Sequence, residues 1–200
     1  MSAPSEIANP PATTEVPTSD VAHLKSKMGL HPNFPIKGVT FIDFLPILRD
    51  PQDFEMLLTH FLNHIYTVTM PKAGIKKIDA IVGLDARGFL LGPPLALRLG
   101  CSFVPVRKAK KLPGACHKVT YSLEYGEDAF EIQEGSLPEG ANVLVVDDLI
   151  ATGGSASAAG QLVKKAGGKT IEYLFVVGLP FLNGDKKLDA PSYWIVEGED

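Results

Sequence analysis

This 200-residue sequence contains few cysteines and has no excess of positive charge. Only two cysteines occur, Cys101 and Cys116, and no short, repeated spacing pairs them. Disulfide frameworks and structural zinc sites need such spacings, so the sequence argues against both. The 19 Lys and Arg residues stand against 23 Asp and Glu, for a net charge of −4. A nucleic acid would favour a basic face, so we expect no nucleic acid partner.

Long apolar runs and two common nucleotide-binding signatures are also missing. No run approaches the length that crosses a bilayer, and no basic-then-apolar leader opens the sequence. We therefore expect a cytoplasmic protein with no membrane partner. The chain contains neither G-x-x-x-x-G-K-[ST] nor G-x-G-x-x-G. The sequence therefore supports neither a P-loop with its Walker B strand nor a dinucleotide-binding fold.

The composition changes after the first twenty residues. Residues 1–20 are rich in Pro, Ser, Thr and Ala, a composition that buries too little apolar surface to fold, so we expect a disordered tail. Because 45% of the chain is hydrophobic, residues 21–200 suit a single domain with a sizeable core.

Strand-like and helix-like patterns alternate along residues 21–200. Short apolar runs predict buried strands, and apolar residues at helical spacing predict helices between them. Such alternation is typical of an α/β fold with a mainly parallel sheet flanked by helices. The predicted strands are 78–84, 102–106, 129–133, 143–146, 170–178 and 193–196, the last at an edge; the predicted helices are 21–28, 54–68, one ending at Leu99 whose regular part begins near Pro93 and Pro94, and one ending near Ala166. The polar span 115–126 shows little periodicity, which predicts a functional loop or lid.

The most informative stretch, residues 143–159, reads VLVVDDLIATGGSASAA. It predicts a strand, an acidic pair, a turn of small residues and a helix. Glycines let backbone N–H groups approach a phosphate, and the positive end of the new helix favours its charge. Thr152 and Ser155 can add hydroxyl donors, whereas Asp147 and Asp148 would repel a phosphate and suit ribose hydroxyls or magnesium. The alternative is an ordinary strand-turn-helix with two capping carboxylates.

Two basic groups also follow predicted strands. Arg87 follows the strand 78–84, and Arg107 and Lys108 open a basic run that ends at Lys111. Carboxyl ends of parallel strands share one edge, so these groups should lie near Asp147 and Asp148. A guanidinium can grip diphosphate oxygens with paired donors. The alternatives are a surface or capping role for Arg87 and a solvated loop face for the basic run.

The central stretch resembles the phosphoribosyl-pyrophosphate motif of type I phosphoribosyltransferases: a hydrophobic run, Asp-Asp and a Thr-Gly-Gly turn. The segments FPIKGVTF (34–41), GLDARGFL (83–90), VRK (106–108), KLPG (111–114) and YSLEYG (121–126) resemble the members of that family that use adenine. The resemblance covers roughly residues 30–180. It implies the type I phosphoribosyltransferase fold with a small N-terminal hood and a flexible catalytic loop. It also implies a homodimer that uses Mg²⁺ and transfers 5-phosphoribosyl from 5-phosphoribosyl 1-diphosphate to adenine, giving AMP and diphosphate.

The resemblance also implies a role for each matching residue. Glu124 would be the catalytic carboxylate, either as general base or as electrostatic stabiliser of the cationic ribose. Phe41 would stack on adenine, although an apolar residue there is also consistent with a core position. Ile42 stands where several relatives carry arginine, so a charge near the base is missing. The ribose 5-phosphate would bind at Ala151, Thr152, Gly153, Gly154 and Ser155, the ribose hydroxyls and Mg²⁺ at Asp147 and Asp148, the diphosphate at Arg87, Arg107, Lys108 and Lys111, and adenine at Thr40, Phe41 and Leu179.

Two competing functions fit less of the sequence. A phosphoribosyltransferase for a 6-oxopurine, xanthine or orotate would share the central motif, but the Phe41 segment and YSLEYG favour adenine. A ligand-sensing module would keep the pocket and lack the catalytic carboxylate, or carry a DNA-binding appendage or a basic face. Glu124 is present, and the other two features are absent from the sequence.

Overall fold

The computed structural model describes residues 19–34, 37, 40–122 and 127–198. Of the predicted tail 1–20, all but Ser19 and Asp20 lies outside the described residues, and so does Glu124. The helices are α1 (Asp20–Lys27), α2 (Pro51–His64), α3 (Met70–Ala73), α4 (Gly88–Leu99) and α5 (Gly154–Lys165). The strands are β1 (Gly29–Pro32), β2 (Thr40–Asp43), β3 (Ala80–Leu84), β4 (Ser102–Lys108), β5 (Cys116–Ser122), β6 (Glu127–Gln133), β7 (Asn142–Ile150), β8 (Lys169–Gly178) and β9 (Ser192–Glu197).

A seven-stranded sheet in the order β5-β6-β4-β3-β7-β8-β9 forms the centre of the described structure. Strands β4, β3, β7, β8 and β9 are parallel, whereas β5 and β6 form an antiparallel hairpin beside β4. The predicted α/β fold with a mainly parallel sheet is confirmed. Strands β1 and β2 form a separate two-stranded antiparallel sheet, which corresponds to the expected hood.

Helices cover both faces of the sheet because successive side chains of its central strands point to opposite faces. Leu144 and Val146 of β7 pack into the core shared with α2 and α4. Val143 and Val145 pack into the core shared with α5. A strand buried on both faces reads as a continuous apolar run, which is why β7 could be predicted.

Helix α4 begins at Gly88, earlier than the predicted start near Pro93, so that prediction is wrong. Proline lacks the N–H that would bond to the carbonyl four residues earlier, yet the helix accommodates Pro93 and Pro94. Pro93 lies on the exposed side, where water can bond to the released carbonyl groups. A Cβ atom at Gly88 would lie 2.5 Å from the carbonyl oxygen of Val146, so this helix start requires glycine.

The described part of the polar span 115–126 differs from the loop that its sequence predicts. Residues 116–122 form β5, which pairs with β6 from Cys116↔Gln133 to Ser122↔Glu127. The predicted long loop is therefore a hairpin, and Glu124 lies in its connection. None of the helices in the described part of the chain could span a lipid bilayer.

Candidate active site

The turn between β7 and α5 has the geometry of an anion-binding nest. Gly153 adopts a left-handed conformation with φ of +77° and precedes α5, where no side chain caps the first N–H groups. A Cβ atom at Gly153 would collide with the carbonyl oxygen of Gly184, so glycine is required both for φ and for space. The uncapped N–H groups and the helix dipole favour an anion at this position.

The acidic pair lies inside β7, which continues to Ile150, rather than after the strand. Asp148 is buried, with 4% of its surface exposed, and one of its oxygens lies 2.5 Å from Nε of Arg87. Asp147 accepts a hydrogen bond from the backbone N–H of Asp148 at 2.9 Å. Burial, followed by the negative charge of Asp148, raises the pKa of Asp147 well above its usual value. A hydroxyl or a cation is therefore a better partner for this pair than a second anion.

Arg87 connects this strand end with the hood. Its guanidinium carbon lies 5.7 Å from the ring centroid of Phe41, and Phe34 contacts the same ring edge-on at 5.5 Å. Phe41 is only partly buried, whereas its neighbour Ile42 is 9% exposed and belongs to the core. Phe41 is thus not the core aromatic of the alternative interpretation. Arg87, predicted for diphosphate, contacts residues that were predicted to bind the base and the ribose.

The basic residues at the end of β4 are paired with carboxylates. Arg107 donates from Nε to Asp85 at 2.9 Å and from Nη1 to the carbonyl of Lys111 at 3.2 Å. Lys108 lies 2.9 Å from a carboxylate oxygen of Asp128 on β6, and this contact raises the pKa of Lys108 and lowers that of Asp128. A diphosphate that binds these basic residues would therefore have to replace Asp85 and Asp128 as their partners.

Tyr121 joins the hairpin to the nest. Its ring stacks on Phe130 at 4.9 Å, and its hydroxyl lies 3.5 Å from Asp128. Burial raises the pKa of Tyr121, and Ser155 in the nest acts in the opposite direction. The hairpin that carries Glu124 is thus anchored beside the nest on one side and Lys108 on the other.

Comparison with known proteins identifies the family of this chain. A family model described as "Phosphoribosyl transferase domain" matches residues 54–199. The chain belongs to the phosphoribosyltransferase family. Adenine phosphoribosyltransferase 1 of Saccharomyces cerevisiae is 53% identical over 175 residues, which cover 86% of this chain and 91% of that one. The adenine phosphoribosyltransferase of Eremothecium gossypii is 52% identical over 177 residues, 88% of this chain and 92% of its own.

Solved structures extend the comparison to the fold. The crystal structure of the S. cerevisiae adenine phosphoribosyltransferase, complexed with an imino-altritol bisphosphate and adenine, has a TM-score of 0.84 at 51% identity. The match covers 88% of this chain and 98% of that one. The Thermoanaerobacter pseudethanolicus adenine phosphoribosyltransferase has a TM-score of 0.81 at 38% identity, covering 89% and 99%.

Sequence reasoning missed several residues of this phosphoribosyltransferase site. Asp85 and Asp128 were not assigned as partners of the basic residues, Tyr121 was noted only as part of YSLEYG, and Gly184 was not noted. Asp85 could have been found, because it follows β3 and its N–H bonds to Val106 in β4. Leu179, which was predicted to line the base pocket, follows β8 and donates its N–H to Ile150 at 3.0 Å, next to the nest. Among the described residues, no group of three or more His, Cys, Asp or Glu side chains is placed to hold a metal ion.

Proposed function

We propose that this protein transfers 5-phosphoribosyl from 5-phosphoribosyl 1-diphosphate to adenine and releases AMP and diphosphate. The main supporting observation is that one strand-turn-helix places an anion nest next to an acidic pair, with Arg87 joining that pair to Phe41. The relatives that share about half of its residues are adenine phosphoribosyltransferases. A sugar with a phosphate at one end and a diphosphate at the other matches this layout of charges.

The donor sugar would lie across the carboxyl ends of β3, β4 and β7. The nest 151–155 would bind the 5-phosphate, with hydroxyl donors from Thr152 and Ser155. Asp147 and Asp148 would accept hydrogen bonds from the ribose hydroxyls, which remove part of the cost of their burial. The diphosphate would bind to Arg107, Lys108 and Lys111 and displace Asp85 and Asp128, because it offers more oxygen acceptors than one carboxylate.

Adenine would lie against the ring of Phe41, with the backbone at Thr40 reading its edge. Thr40 is exposed and is in register with Pro32 at one end of the two-stranded sheet, which leaves its backbone accessible to a ligand. Arg87 would lie at the boundary between base and ribose, because it contacts both Phe41 and Asp148. Leu179 would close the same pocket from the end of β8.

The residues present also fit a bound Mg²⁺ ion. Mg²⁺ commonly keeps several waters and binds through one or two carboxylates together with substrate phosphates. Asp147 and Asp148 provide two such carboxylates, next to each other on β7. When bound, Mg²⁺ would supply positive charge for the leaving diphosphate.

The reaction breaks the bond between C1′ and the diphosphate and joins C1′ to a ring nitrogen of adenine. Positive charge then develops on the ribose and negative charge on the leaving group, which Arg107, Lys108 and Lys111 would stabilise. Glu124 would take the proton from the attacking nitrogen or stabilise the cationic ribose. The hairpin connection that carries it would exclude water from the cation.

A panel of bases tests this function. Purified protein with 5-phosphoribosyl 1-diphosphate and Mg²⁺ is expected to convert radiolabelled adenine to AMP, with little turnover of guanine, hypoxanthine, xanthine or orotate. Chelation of Mg²⁺ is expected to abolish most of the turnover. Activity on guanine without activity on adenine would refute the proposed base, and no turnover of any base would refute the reaction class.

The homodimer implied by the family resemblance would use the outer face of α4. Leu90 and Leu97 are 42% and 83% exposed on this helix, with exposed Pro93 between them. Positions three and four apart share one helix face, so these residues form an apolar strip that a second copy could cover. We expect the wild-type chain to sediment at twice the monomer mass and the Leu97→Glu variant to sediment at the monomer mass.

A further inference from the structure

A cavity of about 500 Å³ lies at the end of the sheet opposite the candidate active site. Its lining includes His64, Thr69, Lys72, Lys169, Glu172 and Tyr193. Lys169 begins β8, whereas Leu179 follows its other end. A strand of ten residues spans about 30 Å, so this cavity is separate from the nest.

A buried carboxylate forms the floor of this cavity. Glu172 is 7% exposed and accepts hydrogen bonds from Nε2 of His64, at 3.0 Å, and from the hydroxyl of Thr69. Both bonds end on the same oxygen, Oε2. Among the contacts of the described residues, none reaches Oε1, which is the oxygen left for a hydrogen-bond donor on a ligand.

A π-helical turn makes this arrangement possible. Residues Ile65–Thr69 form that turn between α2 and α3, and the N–H of Met70 bonds to the carbonyl of Ile65, five residues earlier. In a regular α-helix, residues five apart point about 140° away from each other. The wider turn brings His64 and Thr69 to one side, where both reach Glu172. Such turns occur frequently at functional sites.

The charges around the cavity indicate a ligand with two different ends. Glu172 and Asp189, which accepts from Tyr173 at 2.6 Å, favour an amine or another donor. Lys72 and Lys169 are exposed members of the lining and favour an anionic group. Tyr193 and His64, stacked at 3.6 Å, add an aromatic wall. The volume exceeds what one inorganic anion needs and lies in the range of about 300–1,000 Å³ for small-molecule sites.

From these features we propose that the cavity is a second binding site, for a nucleoside monophosphate whose base carries an amino group. The amino-bearing base lies toward Glu172 and the aromatic wall, and the phosphate lies at Lys72 and Lys169. The site is independent of the proposed transferase reaction, because it shares no residue with the nest, the acidic pair or the hood.

Calorimetric titration of AMP into the full chain tests this inference. Two classes of site per chain are expected, one at each end of the sheet. The double variant Lys72→Ala/Lys169→Ala is expected to weaken one class at least about tenfold, because two charge-assisted hydrogen bonds are lost. The matched control Lys76→Ala/Lys164→Ala removes two exposed lysines outside the cavity and should leave both classes intact.

Further arms separate this site from the active site and define its ligand. Arg87→Ala should weaken AMP binding at the candidate active site and leave AMP binding in the cavity unchanged. Adenosine and ribose 5-phosphate, which each lack one end of AMP, should bind the cavity at least about tenfold more weakly. A single class of site that Arg87→Ala removes and the lysine double variant leaves unchanged would overturn the proposal, as would equal cavity binding of ribose 5-phosphate and AMP. A single class of site that the lysine double variant weakens and Arg87→Ala leaves unchanged would support the proposed cavity site. That result would count against the proposed transferase site instead.

Discussion

Arg87 and Asp148 form an ion pair between the loop after β3 and the interior of β7, with 2.5 Å between Nε and a carboxylate oxygen. The two members differ in burial, since 47% of the Arg87 side chain is exposed and only 5% of that of Asp148. A buried carboxylate without a partner is costly, so Arg87 compensates for the burial of Asp148.

Arg87→Ala is therefore expected to lower the free energy of unfolding by about 1–2 kcal/mol, a value reduced by the exposure of Arg87. The double variant Arg87→Ala/Asp148→Asn should regain most of that loss, because the buried side chain at position 148 is then uncharged and needs no cationic partner, whereas transferase activity should stay low. Urea denaturation of the wild type, both single variants and the double variant gives the coupling free energy between Arg87 and Asp148. Purely additive effects would contradict the role of the pair.

Gly153→Ala is expected to disrupt the nest. Alanine at φ of +77° costs about 1–2 kcal/mol, and the collision with Gly184 adds to that cost. Gly140→Ala is the matched control, since φ is +72° and no atom lies within 4 Å of the added Cβ. Only Gly153→Ala should also weaken the binding of 5-phosphoribosyl 1-diphosphate, measured by titration. Equal losses of stability and unchanged binding would show that the close approach of Gly184 is unimportant.

Glu124→Gln is expected to lower kcat about 10²-fold or more, the usual scale for loss of a proton-transfer group. KM for both substrates should change little, because the amide keeps the size of the side chain. Glu134→Gln, at an exposed position after β6, is the control. Steady-state assays measure both constants, and near-normal turnover in Glu124→Gln would remove this residue from the mechanism.

Asp128→Asn is expected to lower KM for 5-phosphoribosyl 1-diphosphate by about two- to fivefold. The diphosphate then no longer competes with a carboxylate for Lys108, and exposed ion pairs are worth about 0.2–1 kcal/mol. The same measurement in Lys108→Ala should show a higher KM. An increase of KM in Asp128→Asn would indicate that Asp128 orients Lys108 for binding instead of competing for it.

Asp53 should make stability depend on pH in the acid range. The hydrogen bond from His23 at 2.6 Å, together with the charge of Lys27, lowers the pKa of Asp53 below its usual 3.8 in spite of burial. Because the folded protein binds this proton less readily than the unfolded chain, the stabilisation is complete well above pH 3.8 and is lost as pH falls below it. Urea unfolding between pH 7 and 3 should show a smaller decline for Asp53→Asn than for wild type. Parallel declines would exclude this contribution.

The parts of the site that could be predicted are those encoded in consecutive residues. The stretch 143–159 contains its strand, acidic pair, nest and helix in one continuous sequence, so local patterns were sufficient. The positions of Arg87 and Lys108 followed from one further rule, that parallel strands end at the same edge.

The parts that could not be predicted depend on contacts between distant segments. A pairing of strand 129–133 with the end of the polar span could be expected, but the length of β5 and its pairing back to Cys116 could not, because β5 alone has little periodicity. The partners of Arg107 and Lys108 come from the loop after β3 and from β6, on either side of β4. The extension of β7 to Ile150 depends on β8, since β3 ends its pairing with β7 at Val146.

Gly153 and Gly184 meet in the structure although they lie far apart in the sequence. A Cβ atom at Gly184 would in turn collide with the carbonyl oxygen of Ala151, so neither position tolerates a side chain. Because a side chain at either position would collide with the backbone of the other segment, randomising either codon under selection for transferase activity should return glycine alone. If both positions stay glycine, a search for correlated substitutions would overlook this contact.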